Sequence, residues 1–190
     1  KYVLIILECN QFNFECNLKI ISKFMCDKRV LRIQNRRLKQ DNIEYLINEV
    51  EKTADVIGCS QKISEIIIPT SIKYETNEYI VMNILEGAFS DSQITSIRFA
   101  SDSKIQKICK NALPEYIESL TIPSHVKELE EGWCTCTQYL NKIYVSPSNR
   151  YFKKYKEKII IGKTKLEQTN FDTLVFCLRD VETITIPNFI

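Results

Sequence analysis

Residues 94–145 read ITSIRFASDSKIQKICKNALPEYIESLTIPSHVKELEEGWCTCTQYLNKIYV, and one apolar pattern occurs in them three times. The copies are Ile94-x-x-Ile97-x-Phe99, Ile117-x-x-Leu120-x-Ile122 and Leu140-x-x-Ile143-x-Val145, which start 23 residues apart (117 − 94 and 140 − 117). Two further copies lie outside this stretch, Ile63-x-x-Ile66-x-Ile68 at an interval of 31 residues and Val181-x-x-Ile184-x-Ile186 at an interval of 41 (94 − 63 and 181 − 140). A fixed period interrupted by insertions is typical of stacked repeats.

Each repeat also has a second apolar half. Val126-x-x-Leu129 is followed by Gly132-Trp133-Cys134, Ile105-x-x-Ile108 by Asn111-Ala112-Leu113, and the preceding repeat ends in Gly87-Ala88-Phe89. A short strand, a turn and a second apolar pair cannot bury their own hydrophobic face, whereas stacked coils bury it in one continuous core. Alternation at a spacing of roughly 8–12 residues would indicate a β-sandwich instead. The pattern therefore predicts a solenoid whose short parallel strands stack in one sheet.

Composition and charge argue against several classes of function. Lys plus Arg (26) nearly balances Asp plus Glu (24), so the net charge of +2 gives no overall attraction for nucleic acid or an anionic membrane. The 4 glycines are well separated, which excludes the clustered-glycine loops that bind phosphates, and the 8 cysteines form no C-x-x-C pair. The longest apolar runs, such as residues 3–7, are far shorter than the roughly 20 residues that span a bilayer. We expect no metal, no cofactor and no membrane span within this chain.

Two insertions are expected in the array. Residues 34–62 are interpreted as a helical insertion, with Asp41 as the N-cap and apolar residues at helical spacing from Ile43 to Ile57. The predicted helix covers residues 42–57 and packs through Leu46, Ile47 and Val50. Residues 158–178 are expected to contain a two-stranded excursion.

Four stretches resemble the BspA-like leucine-rich-repeat proteins, a large surface-protein family of trichomonads that also occurs in oral bacteria and treponemes. They are IIIPTSI (66–72), EGAFSDSQITSIRF (86–99), IESLTIPSHVKELEEG (117–132) and LNKIYVSPSNRYF (140–152). As in the family, a repeat that ends in Ile-Pro, at residues 122–123, alternates with one that ends in Phe, at Phe99. Residues 158–187, and more loosely 10–33, look like the family's hairpin-bearing repeats, in which N-x-x-F leads into two short strands.

The resemblance implies a leucine-rich-repeat solenoid. It covers residues 63–190 well, as regular BspA-like repeats, and residues 1–33 loosely, as a diverged N-terminal repeat with a hairpin, while residues 34–62 depart from it. Because the sequence stops inside a repeat, we expect it to be a fragment of a longer array. The resemblance further implies a receptor-like or adhesive protein, at the cell surface or secreted and without enzymatic activity, but it assigns no ligand residues.

The strands of such a solenoid present an exposed face. Residues between the core positions point away from the core, so stacked coils align them in two columns. The first column is Glu65, Ser96, Ser119, Lys142 and Thr183, and the second is Ile67, Arg98, Thr121, Tyr144 and Thr185. Arg and Tyr are the residue types that often dominate interfaces, and Ile67 adds an apolar contact. We predict that this face binds a protein or glycan ligand, such as one on a host-cell surface.

Two basic clusters suggest a different ligand. Arg36, Arg37 and Lys39 form the first; the second, residues 153–158, contains four lysines interleaved with Tyr155 and preceded by Tyr151 and Phe152. Such a strip resembles a site that stacks on bases and contacts phosphates. A solvated loop with its aromatic rings folded into the hairpin explains the same residues, and the near-zero net charge favours that explanation. Nucleic acid is therefore not the expected partner.

The single histidine and the cysteines are interpreted as structural residues. His125 lies on a predicted turn where other repeats carry Thr70, Ser71 and Asp102, so an exposed turn residue is favoured over a base that activates a cysteine. Cys134 falls at a core-facing position, Cys136 on a loop and Cys177 in a strand, which favours free thiols acting as small hydrophobes. In an oxidising compartment a Cys9–Cys16 disulfide across the N-terminal hairpin is the alternative.

A second class of function stays open from sequence alone. The scattered cysteines would also suit an intracellular structural or scaffold repeat protein in the cytoplasm that mediates protein–protein interaction. A signal peptide or a transmembrane segment in the full-length gene would distinguish this alternative from a surface protein. An enzyme is the least favoured class.

Overall fold

The structure is a computed structural model in which residues 36–60, 62–178, 183–186 and 188–190 are described. The predictions for residues 1–33, including the N-terminal hairpin and the Cys9–Cys16 pair, lie outside these ranges. The described ranges contain β-strands and no helix. In chain order the strands are β1 (Arg36–Gln40), β2 (Ile43–Asn48), β3 (Thr53–Cys59), β4 (Glu65–Ile68), β5 (Ser71–Tyr74), β6 (Asn77–Ile84), β7 (Ser96–Phe99), β8 (Lys107–Ile108), β9 (Ser119–Ile122), β10 (Glu128–Leu129), β11 (Lys142–Val145), β12 (Phe152–Tyr155), β13 (Ile159–Gly162) and β14 (Thr173–Cys177).

Four of the five repeat copies form the predicted parallel sheet, which we call the face sheet. Its strand order is β11–β9–β7–β4, and every neighbouring pair is parallel. Six of the eight inward pattern positions of these strands are at most 5% exposed: Ile66, Ile68, Ile97, Leu120, Ile122 and Ile143. The other two, Phe99 and Val145, are partly buried and pack against the same core. Alternate residues are buried because successive side chains of a strand point to opposite faces.

The second half of each coil contributes to another sheet, the back sheet. Strands β3, β6, β8 and β10 stack in parallel, while β1 and β2 extend the sheet antiparallel and β5 pairs antiparallel with β6. The buried residues of the face sheet and the back sheet belong to one hydrophobic cluster. The chain therefore forms a leucine-rich-repeat solenoid of four coils, and each coil contributes one parallel strand to the face sheet and one to the back sheet.

The corners between the two sheets account for the tripeptides that recur at the end of each repeat. Gly87, Asn111 and Gly132 occupy equivalent positions and all have positive φ, at 71°, 50° and 79°. Glycine and asparagine adopt this left-handed conformation at the lowest cost. The corners also stack, because Phe89 N donates to the Ala112 carbonyl (3.1 Å) and Asn111 N donates to the Gly132 carbonyl (3.0 Å).

The helix predicted for residues 42–57 is wrong. These residues form the antiparallel hairpin of β2 and β3, which is part of the back sheet. Ile43, Tyr45 and Ile47 alternate with more exposed residues and are at most 1% exposed, whereas Val50, expected in the helix interface, lies in the turn and is 67% exposed. Asp41, interpreted as an N-cap, instead begins the tight turn between β1 and β2, where it and Asn42 both have positive φ.

The fifth repeat copy does not join the face sheet. Residues 183–186 belong to none of the strands in the described part of the chain, and Ile184 and Ile186 are 39% and 50% exposed. A short strand needs a neighbouring strand to satisfy its backbone. After β11 the chain forms an antiparallel sheet of its own, with strand order β12–β13–β14, which we call the hairpin sheet. This sheet confirms the excursion predicted for residues 158–178.

A buried asparagine connects the solenoid to the hairpin sheet. Asn149 lies one period after the core residue Val126 (126 + 23) and is 8% exposed. Its Nδ2 donates to the carbonyls of Pro123 (2.7 Å) and Val126 (2.9 Å), and its Oδ1 accepts from the backbone N–H groups of Tyr151 and Phe152 (both 2.8 Å). The side chain thus holds the start of β12 against the preceding coil.

The core register can be tested at neighbouring positions of β9. Leu120 is 1% exposed and Thr121 is half-buried on the opposite side. We expect Leu120→Asp to lower the free energy of unfolding by several kcal/mol, on the order of 4, because an unpaired charge is buried. Thr121→Asp should change it by roughly 0.5 kcal/mol or less. Urea denaturation followed by circular dichroism measures both, and a larger loss for Thr121→Asp would contradict the register.

The role of Asn149 gives a second stability prediction. Asn149→Ala removes four hydrogen bonds and leaves buried backbone groups unsatisfied, so we expect a loss of about 2–4 kcal/mol in the free energy of unfolding. Asn141→Ala is the matched control, because Asn141 is exposed and should tolerate the change within roughly 0.5 kcal/mol. Equal urea midpoints for the two variants would show that the Asn149 contacts contribute nothing measurable.

Candidate functional site

The candidate binding site is the outward side of the face sheet. The strand register places Glu65 opposite Ser96, Ser96 opposite Ser119 and Ser119 opposite Lys142, which forms the first predicted column. In the second column Ile67 lies opposite Arg98, and Thr121 lies opposite Tyr144. Thr183 and Thr185 are exposed but lie outside the sheet, so they do not extend either column. The structure therefore brings together eight of the ten predicted residues.

The second column carries large side chains that protrude into solvent. Ile67 is 64% exposed and Tyr144 is 58% exposed, and the side chain of Arg98 between them is 63% exposed. Thr121 is smaller and half-buried. Because the backbones beneath them are paired in a sheet, these side chains project from a rigid support, which limits the entropy lost when a partner binds.

Charge changes sign across the site. Glu65 on β4 forms a 3.4 Å ion pair with Arg98 on β7, and both side chains are more than 60% exposed. At such exposure the pair contributes little to stability, so it leaves both groups accessible to a ligand. Ser96 and Ser119 continue the column, with Ser119 Oγ donating to Ser96 Oγ at 3.4 Å. Lys142 then provides a positive group on β11.

The hairpin sheet extends the positive end of the site. Lys154 on β12 lies with its Nζ 6.0 Å from the centre of the Tyr144 ring, a cation–π contact. The same ammonium forms a 2.7 Å ion pair with Glu157. The predicted strand face and the basic segment are therefore neighbouring surfaces, joined at Tyr144 and Lys154.

A stacked tyrosine pair escaped the sequence analysis. The rings of Tyr116 and Tyr139 lie 6.0 Å apart with an interplanar angle of 16°, and the residues are 47% and 52% exposed. They immediately precede Ile117 and Leu140, the first apolar positions of consecutive repeats, and so lie 23 residues apart (139 − 116). The shared spacing is the sequence signal for this pair, although both tyrosines lie just before the strands rather than within them.

The two basic clusters do not form an aromatic phosphate-binding strip. Arg36 lies on β1, where it contacts the Tyr74 hydroxyl and pairs with Glu49 (3.8 Å) and Glu75 (3.6 Å). In the second cluster Phe152 is 8% exposed and belongs to the hydrophobic core, so it cannot stack on a base. Tyr155 packs edge-on against Phe189, with ring centres 5.7 Å apart. The cluster therefore has no row of open rings; its aromatic residues lie on or beside strand β12 rather than on a solvated loop.

The remaining candidate groups lie apart from one another. His125 is exposed in its turn, and its Nδ1 lies 3.1 Å from the hydroxyl of the adjacent Ser124 rather than from a cysteine. Cys134 packs partly buried against the core, and Cys59, Cys109, Cys136 and Cys177 are free thiols. Within the described ranges no three His, Cys, Asp or Glu side chains are grouped as metal ligands. The same ranges include no helix of a length and apolarity suited to crossing a bilayer.

Comparison with known proteins gives structural likenesses only. No family model and no curated protein sequence matches the chain. Among solved structures it is similar to the pneumococcal vaccine antigen PcpA, with 19% identity over 61% of this chain and a TM-score of 0.46. It is also similar to a leucine-rich cell-surface protein of Faecalibacterium prausnitzii, with 9% identity over 82% of this chain and a TM-score of 0.47. The chain spans 39% and 65% of the lengths of these two structures.

A leucine-rich-repeat protein of Bacteroides capillosus gives a third likeness, with 16% identity and a TM-score of 0.43. The likeness covers 58% of this chain and 98% of the Bacteroides capillosus chain. The assignment of the fold rests on the strand pairing and the continuous core of the chain itself.

The burial of the thiols predicts their order of reactivity. Burial raises the pKa of Cys59 and of Cys109, so at neutral pH both have less thiolate and less access to reagent than a solvent-exposed thiol. Cys136 is exposed. We expect iodoacetamide to modify native Cys136 before Cys59 and Cys109, and all three at similar rates in urea, as measured by peptide mass spectrometry. Labelling of native Cys109 as fast as Cys136 would show that the coils open locally.

Proposed function

We propose that this chain is a non-enzymatic binding module of a leucine-rich-repeat surface protein, and that it recognises a protein or glycan through the face sheet. The observation that supports this most is the alignment of Ile67, Arg98 and Tyr144 on rigid strands with more than half of each side chain exposed. Large exposed side chains grouped on one face mark interaction surfaces more often than scattered ones do, because grouped apolar area in water costs free energy that a partner recovers.

The chemistry of the face favours a macromolecular partner over a small molecule. The columns lie on an extended sheet surface, whereas small-molecule sites are concave and enclose most of their ligand. An apolar isoleucine, an arginine and a tyrosine beside serine hydroxyls match the composition of protein interfaces, in which Arg and Tyr anchor a partner. Glu65 lies on one edge strand of the face sheet and Lys142 on the other. These opposite charges would orient a partner, because a reversed partner would place like charges opposite each other.

The stacked tyrosines enlarge the proposed face at the beginning of β9 and β11. Tyr116 and Tyr139 add two parallel aromatic surfaces next to the strands that carry Ser119 and Lys142. Aromatic side chains provide large contact area with few rotatable bonds, so they bind at low entropic cost. They suit either a protein loop or the apolar face of a sugar ring, which is why both ligand classes stay in the proposal.

Location at the cell surface or in the secreted fraction is part of the proposal and rests on the resemblance to BspA-like proteins. The alternative is an intracellular scaffold, which the free thiols of Cys59 and Cys109 would suit because disulfides are rare in reducing compartments. Epitope-tagging the full-length protein in its native cell and labelling intact cells with antibody distinguishes the two. Staining only after permeabilisation would support the scaffold.

The binding face gives a prediction about affinity. Arg98→Ala combined with Tyr144→Ala should weaken binding to the partner by roughly 30-fold or more, because truncating such anchors typically costs about 1–3 kcal/mol each. The melting temperature should stay nearly unchanged, since both side chains are exposed. Arrays of purified extracellular proteins and glycans identify a partner, and biolayer interferometry compares its affinity for wild type and variant.

Two control variants make the comparison specific. Lys73→Ala with Lys127→Ala removes exposed charges beside the back sheet and should leave affinity unchanged. Lys153→Gln with Lys156→Gln tests the basic segment, whose neutralisation should matter only at low salt because rim charges mainly affect the association rate. A steep salt dependence that these lysine changes abolish, together with unchanged binding of the Arg98 and Tyr144 variant, would point to polyanion binding instead.

A further inference from the structure

A cavity lies on the side of the hairpin sheet that faces away from the solenoid core. The sheet has two differently used sides: Phe152, Ile160 and Phe176 join the main hydrophobic cluster, whereas Lys153 and Ile161, which are paired across β12 and β13, line the cavity. The cavity measures about 610 Å³, which is within the range of small-ligand sites. We call it the loop pocket, because residues 168–172 of the following loop form its wall.

The loop that forms the wall is held in place by its own hydrogen bonds. Asp172 accepts the backbone N–H of Thr164 at 2.8 Å on its carboxylate and donates its own backbone N–H to the Gly162 carbonyl at 3.0 Å. Gln168 Nε2 donates to the Asn170 carbonyl at 3.0 Å. These contacts close the loop at its base and within its tip, so the pocket is formed before a ligand binds.

The pocket combines aromatic walls with amide and hydroxyl groups. Tyr155 and Phe189 meet edge-on with ring centres 5.7 Å apart, and Phe171 contributes a third ring from the loop. Thr169 and Asn170 are exposed at its rim, where they offer a hydroxyl, two amide donors and an amide oxygen. Flat apolar surfaces next to groups that both donate and accept hydrogen bonds suit a ring with one C–H face and many hydroxyls.

Positive charge surrounds the pocket. Lys153 lines it directly and forms no salt bridge with any residue in the described ranges. Lys156 lies 5.5 Å from the Tyr155 ring and Lys163 lies 5.2 Å from the Phe171 ring, so two of the aromatic walls each carry an ammonium group. The lining carboxylate, Asp172, is already engaged with Thr164 and Thr173. Hydrogen bonds from these neutral groups leave the Asp172 carboxylate charged. The three ammonium groups of Lys153, Lys156 and Lys163 outnumber it, so the net charge of these four groups is positive.

From this arrangement we infer that the loop pocket is a binding site for an acidic saccharide, a pyranose that carries a carboxylate. The sugar's C–H face packs on Phe171 and Tyr155, its hydroxyls bond to Thr169 and Asn170, and its carboxylate pairs with Lys153. A nucleic-acid strand fits less well, because Tyr155 meets Phe189 edge-on and Phe152 is buried, which leaves no row of open rings for successive bases. The site is separate from the face sheet and does not depend on the function proposed for it.

A matched pair of sugars tests the inference. Methyl glucuronide and methyl glucoside differ only in the carboxylate, and their binding to the 190-residue chain is measured by saturation-transfer NMR and calorimetric titration. We expect the glucuronide to bind about 10-fold more tightly, because a charge-assisted hydrogen bond is stronger than a neutral one. Lys153→Gln should reduce glucuronide binding to the level of the glucoside, and Phe171→Ala should weaken binding of both sugars by about 10-fold.

Two control variants lie in the same loop. Lys165→Gln removes a lysine and Leu166→Ala removes an apolar side chain, and both residues are exposed but do not line the pocket, so neither change should alter binding. The inference is overturned if neither sugar binds saturably or if the two bind equally well. It is likewise overturned if Lys153→Gln leaves the preference intact, or if the controls weaken binding as much as Phe171→Ala. Arg98→Ala with Tyr144→Ala should leave sugar binding unchanged, which separates this result from the test of the face sheet.

Discussion

The structure depends on the burial of aliphatic side chains that no single coil can cover. Ile97, Leu120 and Ile143 are each 1% exposed and belong to one hydrophobic cluster with the residues of the back sheet. Ile97 and Leu120 lie between two neighbouring coils, and Ile143 lies on the edge strand β11 beside one. Burial of such a side chain contributes about 1.5–3 kcal/mol, which a coil of 23 residues (117 − 94) gains only when it is stacked. Register along the array is fixed by the same requirement, because a slip of one residue would turn every buried side chain outward.

The outward positions of the strands are consequently free of any role in the core. Arg98 and Tyr144 can change without altering a buried contact, although their neighbours in the strand cannot. The corners are constrained in a different way, since Gly87, Asn111 and Gly132 all have positive φ and few residue types tolerate it. The structural constraints thus fall on the inward positions and the corners of each repeat, and the outward positions that form the proposed face follow from the repeat period and the strand geometry.

A segment could be predicted from sequence where its apolar pattern recurs, and was mispredicted where the pattern occurs only once. The face-sheet strands were predictable because their apolar pattern repeats and ends at a constant place, whereas residues 42–57 occur once and gave no period to compare. In that segment Ile43 and Ile47 fit both a four-residue helical step and two strand steps, and the decisive residue was Tyr45, which is 1% exposed. The alternation of Ile43, Tyr45 and Ile47, continued by Ala54 and Val56, was the better signal.

The candidate sites differ in how far sequence could reveal them. Eight of the ten face residues followed from strand alternation alone, and Thr183 with Thr185 failed because the fifth copy of the pattern does not pair with β11. The loop pocket could not be foreseen, since Lys153, Phe171 and Phe189 are far apart in the chain and meet only through the folding of the hairpin sheet. The contact between Lys154 and Tyr144 depends on the same tertiary arrangement.

The hairpin of β5 and β6 has a consequence for how such arrays diversify. The first repeat interval exceeds the next by eight residues (31 − 23), yet Glu65 still lies opposite Ser96 and Ile67 opposite Arg98. The extra length is taken up by the β5 and β6 pairing on the back sheet, away from the exposed columns. Insertions and deletions in these coils can therefore accumulate on one side without shifting the other. A gene that lengthens such a coil on the back sheet keeps the spacing of the exposed columns, so the chemistry of these columns can change by point substitution while their geometry stays the same.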